Sequence, residues 1–171
     1  MKASAPQVVL RKPQIARSPR PSELGRFENV AAVTRKVMQA NKGRDTGPEM
    51  IVRRLVHAMG RRYRVHRSDL PGRPDLAYGP TRKAIFVHGC FWHRHEGCAK
   101  ASMPKTRQDF WREKFDRNVD RDRRSEGQLR ALGWDVLTVW ECETRNPRDL
   151  VERLHAFLYD AEQLPVALPL P

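Results

Sequence analysis

Ile51, Val52, Leu55, Val56 and Met59 recur at the three- and four-residue spacing of an α-helix. Thr46 stands before them as an N-cap, Pro48 suits an early helical position, Glu49 can complete a capping box, and Gly60 ends the run. Arg53, Arg54 and Arg61 are expected to decorate the other faces. Residues 62–66 alternate and predict a strand. Leu70-Pro71-Gly72-Arg73-Pro74 reads as a loop, Asp75-Leu76-Ala77-Tyr78 as a second strand, Gly79-Pro80-Thr81 as a turn and residues 83–88 as a third strand. The apolar run 84–87 suits a buried central strand, and the hairpin would hold Asp75 close to whatever follows His88. Helices are predicted from Gln108 to about Asp116 and over residues 118–132, the second ended by Gly133. Residues 134–140 form a further strand, leading directly into Glu141-Cys142. Asn146-Pro147-Arg148-Asp149 starts a last helix, whose stripe is Leu150, Val151, Leu154, Phe157 and Leu158. The order α-β-β-β-α-α-β-α predicts an α/β fold, a mixed central sheet flanked by helices.

The ends lack this patterning. Pro6, Pro13, Pro19 and Pro21 lie among Arg, Lys and Ser, so residues 1–30 read as a disordered basic arm. Residues 31–40 suit a short helix, 31–160 a single domain, and 161–171 a Pro-rich tail. Thirty-three Lys and Arg against twenty Asp and Glu give a formal net charge of +13, which favours nucleic acid as partner over an anionic membrane surface or mere solubility. No apolar run is long enough to span a bilayer, and the first ten residues offer no secretory apolar core. Three cysteines clustered with histidines suit metal ligation in a cytoplasmic protein better than a disulfide framework.

The chemistry concentrates in Val87-His88-Gly89-Cys90-Phe91-Trp92-His93-Arg94-His95-Glu96-Gly97-Cys98. Cys90-x4-His95-x2-Cys98 offers three ligands in a short loop, and Cys142 can supply the fourth of a closed, structural Zn²⁺ site; the plain alternative is three buried thiols beside an uninvolved histidine. Asp75, after Pro74, can hold Mg²⁺, or simply open a strand. His88 and His93 can activate a water or hold a phosphate, or be structural. Glu49 is explained by its capping box, with orientation of a histidine or a metal-bound water as its functional reading. A carboxylate after Pro on one hairpin strand with a polar group on the next is the layout of PD-(D/E)xK nucleases, with His in place of the second acid and Lys. Phe91, Trp92 and Trp111 lie beside basic residues and read either as wedges for a base stack or as core; Trp134 and Trp140 read as core.

Several separate motifs, in one order from about Arg35 to Leu158, resemble the very-short-patch repair (Vsr) endonucleases: Asp45-Thr46-Gly47-Pro48-Glu49, Gly72-Arg73-Pro74-Asp75, His88-Gly89-Cys90-Phe91-Trp92-His93, Lys105-Thr106-Arg107…Phe110-Trp111, Asn118-Val119…Arg121-Asp122 and Gly133-Trp134…Trp140-Glu141-Cys142. The resemblance implies a restriction-endonuclease-like fold and a Mg²⁺-dependent enzyme that nicks double-stranded DNA 5′ of the T in T:G mismatches, which arise when 5-methylcytosine is deaminated. It implies that Asp75 and the Val87 carbonyl ligate Mg²⁺, that His93 activates water with His88 near the scissile phosphate, and that Glu49 and Asp122 assist. Cys90, His95, Cys98 and Cys142 would hold the zinc, Phe91, Trp92 and Trp111 would wedge beside the mismatch, and Lys105 and Arg107 would contact the DNA. It further implies a monomer in the prokaryotic cytoplasm, associated with the nucleoid and working alongside a cytosine-5 methyltransferase system and mismatch repair proteins. Two departures stand out: many members have Cys-x4-His-x-Cys, one residue shorter than here, and some have Thr where Val87 stands. Other readings are a nicking enzyme of the same fold with different or relaxed specificity, and a non-catalytic zinc DNA-binding protein.

Overall fold

A computed structural model describes residues 43–159. The arm at 1–30, the short helix at 31–40 and the tail at 161–171 lie outside the described residues.

Helix α1 spans Gly47–Ala58, and its start is the one the sequence predicts: Thr46 has extended backbone, its hydroxyl accepts from the Glu49 amide, and Pro48 falls in the first turn. Strands β1 (Leu76–Tyr78) and β2 (Lys83–His88) pair antiparallel, with Leu76 opposite Ile85. Strand β3 (Asp135–Trp140) lies parallel to β2 on its other side, His88 opposite Trp140. The sheet is therefore mixed, in the order β1-β2-β3, with β2 central as its apolar run predicts. Helix α2 (Gln108–Ala131) and helix α3 (Pro147–Leu158) complete the layers.

Side-chain alternation on β2 builds two cores. Ile85 packs with Val52 and Val56 of α1 and with Leu150, Leu154 and Leu158 of α3, and Val87 packs against that cluster. Ala84 and Phe86 face the other way, toward Leu129 of α2 and Trp134. His88 continues this second row, with its ring 5.7 Å from that of Phe86. The strand period thus delivers the last residue of β2 to the side of the sheet that α2 covers.

Three expectations fail locally. Residues 62–66 contribute only an isolated bridge, Arg64 to Ala77, because His66 takes a left-handed backbone (φ 48°) that ends any extended run. The two helices predicted over 108–132 are one helix of 24 residues, since neither Gly nor Pro interrupts the join near Arg117. Arg53 does not decorate an outer face: it is 8% exposed. The loop before Asp75 is set by close packing. Gly72 has φ +71°, and a Cβ there would lie 2.6 Å from Ser125 Cβ on α2, so only glycine lets the loop press against that helix.

Candidate active site

The loop after β2 is a series of tight turns. The His93 amide donates to the Gly89 carbonyl (3.1 Å), that of His95 to Cys90 (3.0 Å) and that of Cys98 to His95 (3.3 Å). Left-handed backbone at Arg94 and Gly97 lets the chain fold back on itself. The Glu141 amide donates to the His88 carbonyl (2.8 Å), tying the loop's start to the end of β3. Adjacent residues of this loop therefore point to different neighbours, and their chemistry separates into three groups.

The first group is Cys90, His95, Cys98 and Cys142, whose ligand atoms all lie within 4.8 Å of one another. His95 Nδ1 is 3.6 Å from Cys90 Sγ and 3.3 Å from Cys142 Sγ. A tetrahedral ion with the usual sulfur and nitrogen bond lengths separates its ligands by about 3.5 Å, so this donor set fits a closed four-coordinate site. All three cysteines are free thiols. Burial pushes the Cys90 thiol up to about 12, so a thiolate there needs a cation beside it. The Lys100 backbone N–H, at the start of a 3₁₀ turn (Ala99–Ala101), holds Cys98 below the ordinary thiol range. The His95 ring stacks on Trp140 at 4.2 Å and 6°, which fixes the imidazole plane. Trp134 is core as expected; Trp140 is a wall of this cluster.

The second group is His88, His93 and Asp122. Asp122, on the face of α2 that covers the sheet, lies with Oδ2 2.5 Å from His93 Nδ1. Burial pushes the Asp122 carboxyl up, but the hydrogen bond with His93 and the charges of His93 and Arg121 outweigh it and hold the carboxyl below its ordinary value. Asp122 is thus a carboxylate that fixes the imidazole and leaves Nε2 as the ring's other proton-transfer atom. His88 stacks on His93 at 4.0 Å and 11°. Burial, with the charge of His93, drives His88 down to about 3, so it works as a neutral ring.

Asp75 comes to the same side. Its Oδ2 accepts the Val87 amide at 2.7 Å. Burial pushes its carboxyl up to about 6; the Val87 amide acts against this, as do the charges of Arg53 and His93, while the Glu49 charge adds to it. Glu49 is 5% exposed and takes donors from the Thr46 hydroxyl (2.9 Å), the Asp45 amide (2.9 Å) and Arg53 Nη2 (3.1 Å). Five sequence-predicted residues, Asp75, His88, His93, Glu49 and Asp122, are therefore linked by contact or by charge.

The third group is aromatic. The Phe91 ring lies 5.0 Å from Trp92, 5.5 Å from Trp111 and 5.1 Å from Phe115. Trp111 is the deeper, at 8% exposure, while Phe91 and Trp92 are half-buried. Lys105 and Arg107 are exposed nearby, the Arg107 guanidinium 5.0 Å over Phe110.

A family model described as DNA mismatch endonuclease Vsr matches residues 30–100. The type II nicking enzyme V.XorIIP of Xanthomonas oryzae pv. oryzae is 46% identical over 124 residues, covering 72% of this chain and 90% of that protein. The DNA mismatch endonuclease Vsr of Escherichia coli K12 is 45% identical over 121 residues, 71% of this chain and 77% of that protein. The chain belongs to the Vsr family. The type II nicking enzyme V.NmeAIP of Neisseria meningitidis is a further relative, 39% identical over 119 residues. By family the chain is an endonuclease acting on DNA, which sets aside a purely binding role.

Two side chains of α2 brace the aromatic group of this Vsr chain. Lys114 extends its ammonium over Trp92 (5.1 Å) and Trp111 (5.6 Å), and burial lowers its pKa. Its spacing of three from Trp111 on a helix is the signal that sets it among the basic residues flanking that ring. Asn118 Nδ2 donates to the Trp92 carbonyl (3.0 Å), bracing the aromatic loop from α2. The extra residue before Cys98 does not disperse the Cys/His cluster, because Gly97 takes the left-handed turn that absorbs it. Among the described residues no helix is long and apolar enough to cross a membrane.

Proposed function

We propose that this enzyme nicks double-stranded DNA 5′ of the T in T:G mismatches and that it does so with Mg²⁺. The observation that carries the reading is the His93–Asp122 pair stacked on His88, with half-buried Asp75 just ahead of the neighbouring strand, in a chain of the Vsr family. Asp75, with the Val87 carbonyl, would hold Mg²⁺; a single half-buried carboxylate suits an ion that takes its remaining ligands from water and substrate phosphate. Bound there, Mg²⁺ would polarise the phosphate and offset charge on the leaving oxygen. His93 Nε2 takes the proton of the attacking water as its oxygen bonds to phosphorus and one P–O bond breaks. Asp122 stabilises the imidazolium so formed. Neutral His88 faces the phosphate without competing for that proton, and Glu49 assists from the far side of Asp75.

The Cys90–His95–Cys98–Cys142 cluster would hold structural zinc and so fix the aromatic loop relative to His93. In a restriction-endonuclease-like fold of this kind, Phe91 and Trp92 enter the base stack beside the mismatch, backed by Trp111. Lys105 and Arg107 bind phosphate. The enzyme acts as a monomer in the prokaryotic cytoplasm, at the nucleoid, downstream of a cytosine-5 methyltransferase and alongside mismatch repair proteins. Residues 1–30 add a basic arm and 161–171 a tail to the 31–160 domain.

A second reading, a nicking enzyme of other or relaxed specificity, draws on the names of the Xanthomonas and Neisseria relatives, which specify nicking without a mismatch. Matched, T:G and abasic duplexes separate the two. Preference for T:G, reduced about 10- to 100-fold in Trp92→Ala as wedge energy is lost, supports the first reading. Equal cleavage of all three duplexes supports the second.

A further inference from the structure

Arg53 is the buried charge that the family motifs leave unused. It is 8% exposed, and its guanidinium joins three segments of the chain. Nη2 donates to Glu49 Oε2 at 3.1 Å within α1. The same nitrogen lies 3.1 Å from His66 Nε2, in the left-handed bend before the Leu70–Pro74 loop. Nη1 pairs with Asp45, ahead of the helix. A guanidinium has no acceptor, so His66 Nε2 must accept and its proton sits on Nδ1. Asp45, Glu49 and His66 also converge closely enough to suggest a metal site, but the Arg53 cation already bonds all three and fills that role.

A capping box does not call for this. Thr46 and the Asp45 amide already engage the Glu49 carboxylate. An exposed Glu–Arg pair four residues apart supports a helix at little cost, whereas this pair is almost fully desolvated. Burial of both partners calls for a role beyond the helix cap.

We infer that Arg53 is a positioning residue for strand cleavage, its guanidinium clamping the Glu49 carboxylate in place and tying it to Asp45 and His66. This rests on the reading of Glu49 as an assisting group. Arg53 touches neither substrate nor metal and acts only through Glu49.

The test is single-turnover, Mg²⁺-dependent nicking of a T:G duplex by Arg53→Met, Arg53→Lys, Glu49→Gln and the double variant Glu49→Gln/Arg53→Met. Thermal unfolding and duplex binding are measured on each protein. Arg53→Met is expected to slow nicking at saturating enzyme by about 100-fold, the usual cost of a misplaced group, with duplex affinity within about threefold of wild type. Arg53→Lys, which keeps the charge and one contact, recovers most of that rate. The double variant is no slower than Glu49→Gln alone, because the two residues act as one unit. If the two single losses multiply in the double variant, or if Arg53→Met lowers only stability or affinity, Arg53 is merely structural. Wild-type rate in Glu49→Gln refutes the role of Glu49 itself, and the inference with it.

Discussion

Asp75→Asn is expected to lower nicking by at least about 10³-fold while leaving T:G duplex binding in place, because the variant loses the carboxylate that would hold the metal. Asn keeps an acceptor for the Val87 amide, so the loop stays closed. The same substitution should stabilise the metal-free protein. Burial raises the folded-state pKa of Asp75 from 3.8 to about 6. Between those values the unfolded chain releases the proton and the folded chain keeps it. Stability therefore falls as pH rises through this window, the reverse of a salt-bridged carboxylate. The span of about two pH units is worth up to about 3 kcal/mol, which Asp75→Asn recovers at pH 7 and not at pH 4. Denaturant unfolding with a chelator at both pH values measures it; a variant less stable than wild type at pH 7 contradicts the account. In the wild type the proton competes with the metal, so the Mg²⁺ needed for half-maximal nicking should rise about tenfold for each pH unit below 6.

The second large effect concerns the Cys/His cluster. Cys142 lies just past β3 and Cys90 just past β2, so a metal held by both staples the catalytic loop to two strands at once. Cys142→Ser should lose the zinc that the wild type is expected to carry, and should cost at least about 3 kcal/mol of stability. Structural zinc returns far more in peptides that have no core of their own. Nicking falls with it, since His93 lies within the loop that the cluster closes. Metal analysis together with unfolding curves decides the matter. Undiminished zinc, or an unchanged unfolding midpoint, would show that Cys142 is no ligand.

The helix starts and the central strand were legible because they depend on local chemistry. Thr46-Gly47-Pro48-Glu49 caps α1 wherever that helix packs, and the run Ala84-Ile85-Phe86-Val87 suits only a strand covered on both faces. The zinc-type cluster was legible because Cys and His at short spacing have few other uses, and the structure brings in Cys142 from the predicted strand end. Residues 62–66 were misread because alternation reports a face but not a neighbour, and only Arg64 finds one. Arg53 was misread for a related reason. An arginine in a helix reads as surface unless its partners are known, and two of the three, Asp45 and His66, lie outside the helix. The spacing of three on α2 sets Lys114 beside Trp111, but its reach over Trp92 depends on how α2 meets the loop.

The central claim is that these groups cut one strand beside a T:G mismatch. Single-turnover cleavage of a duplex with a labelled T strand, run beside its T:A counterpart with Mg²⁺ and with chelator, tests it most directly. One product is expected, ending 5′ of the mismatched T, formed only with T:G and only with Mg²⁺. Cleavage of T:A at an equal rate, at scattered positions, or without a divalent ion would contradict it.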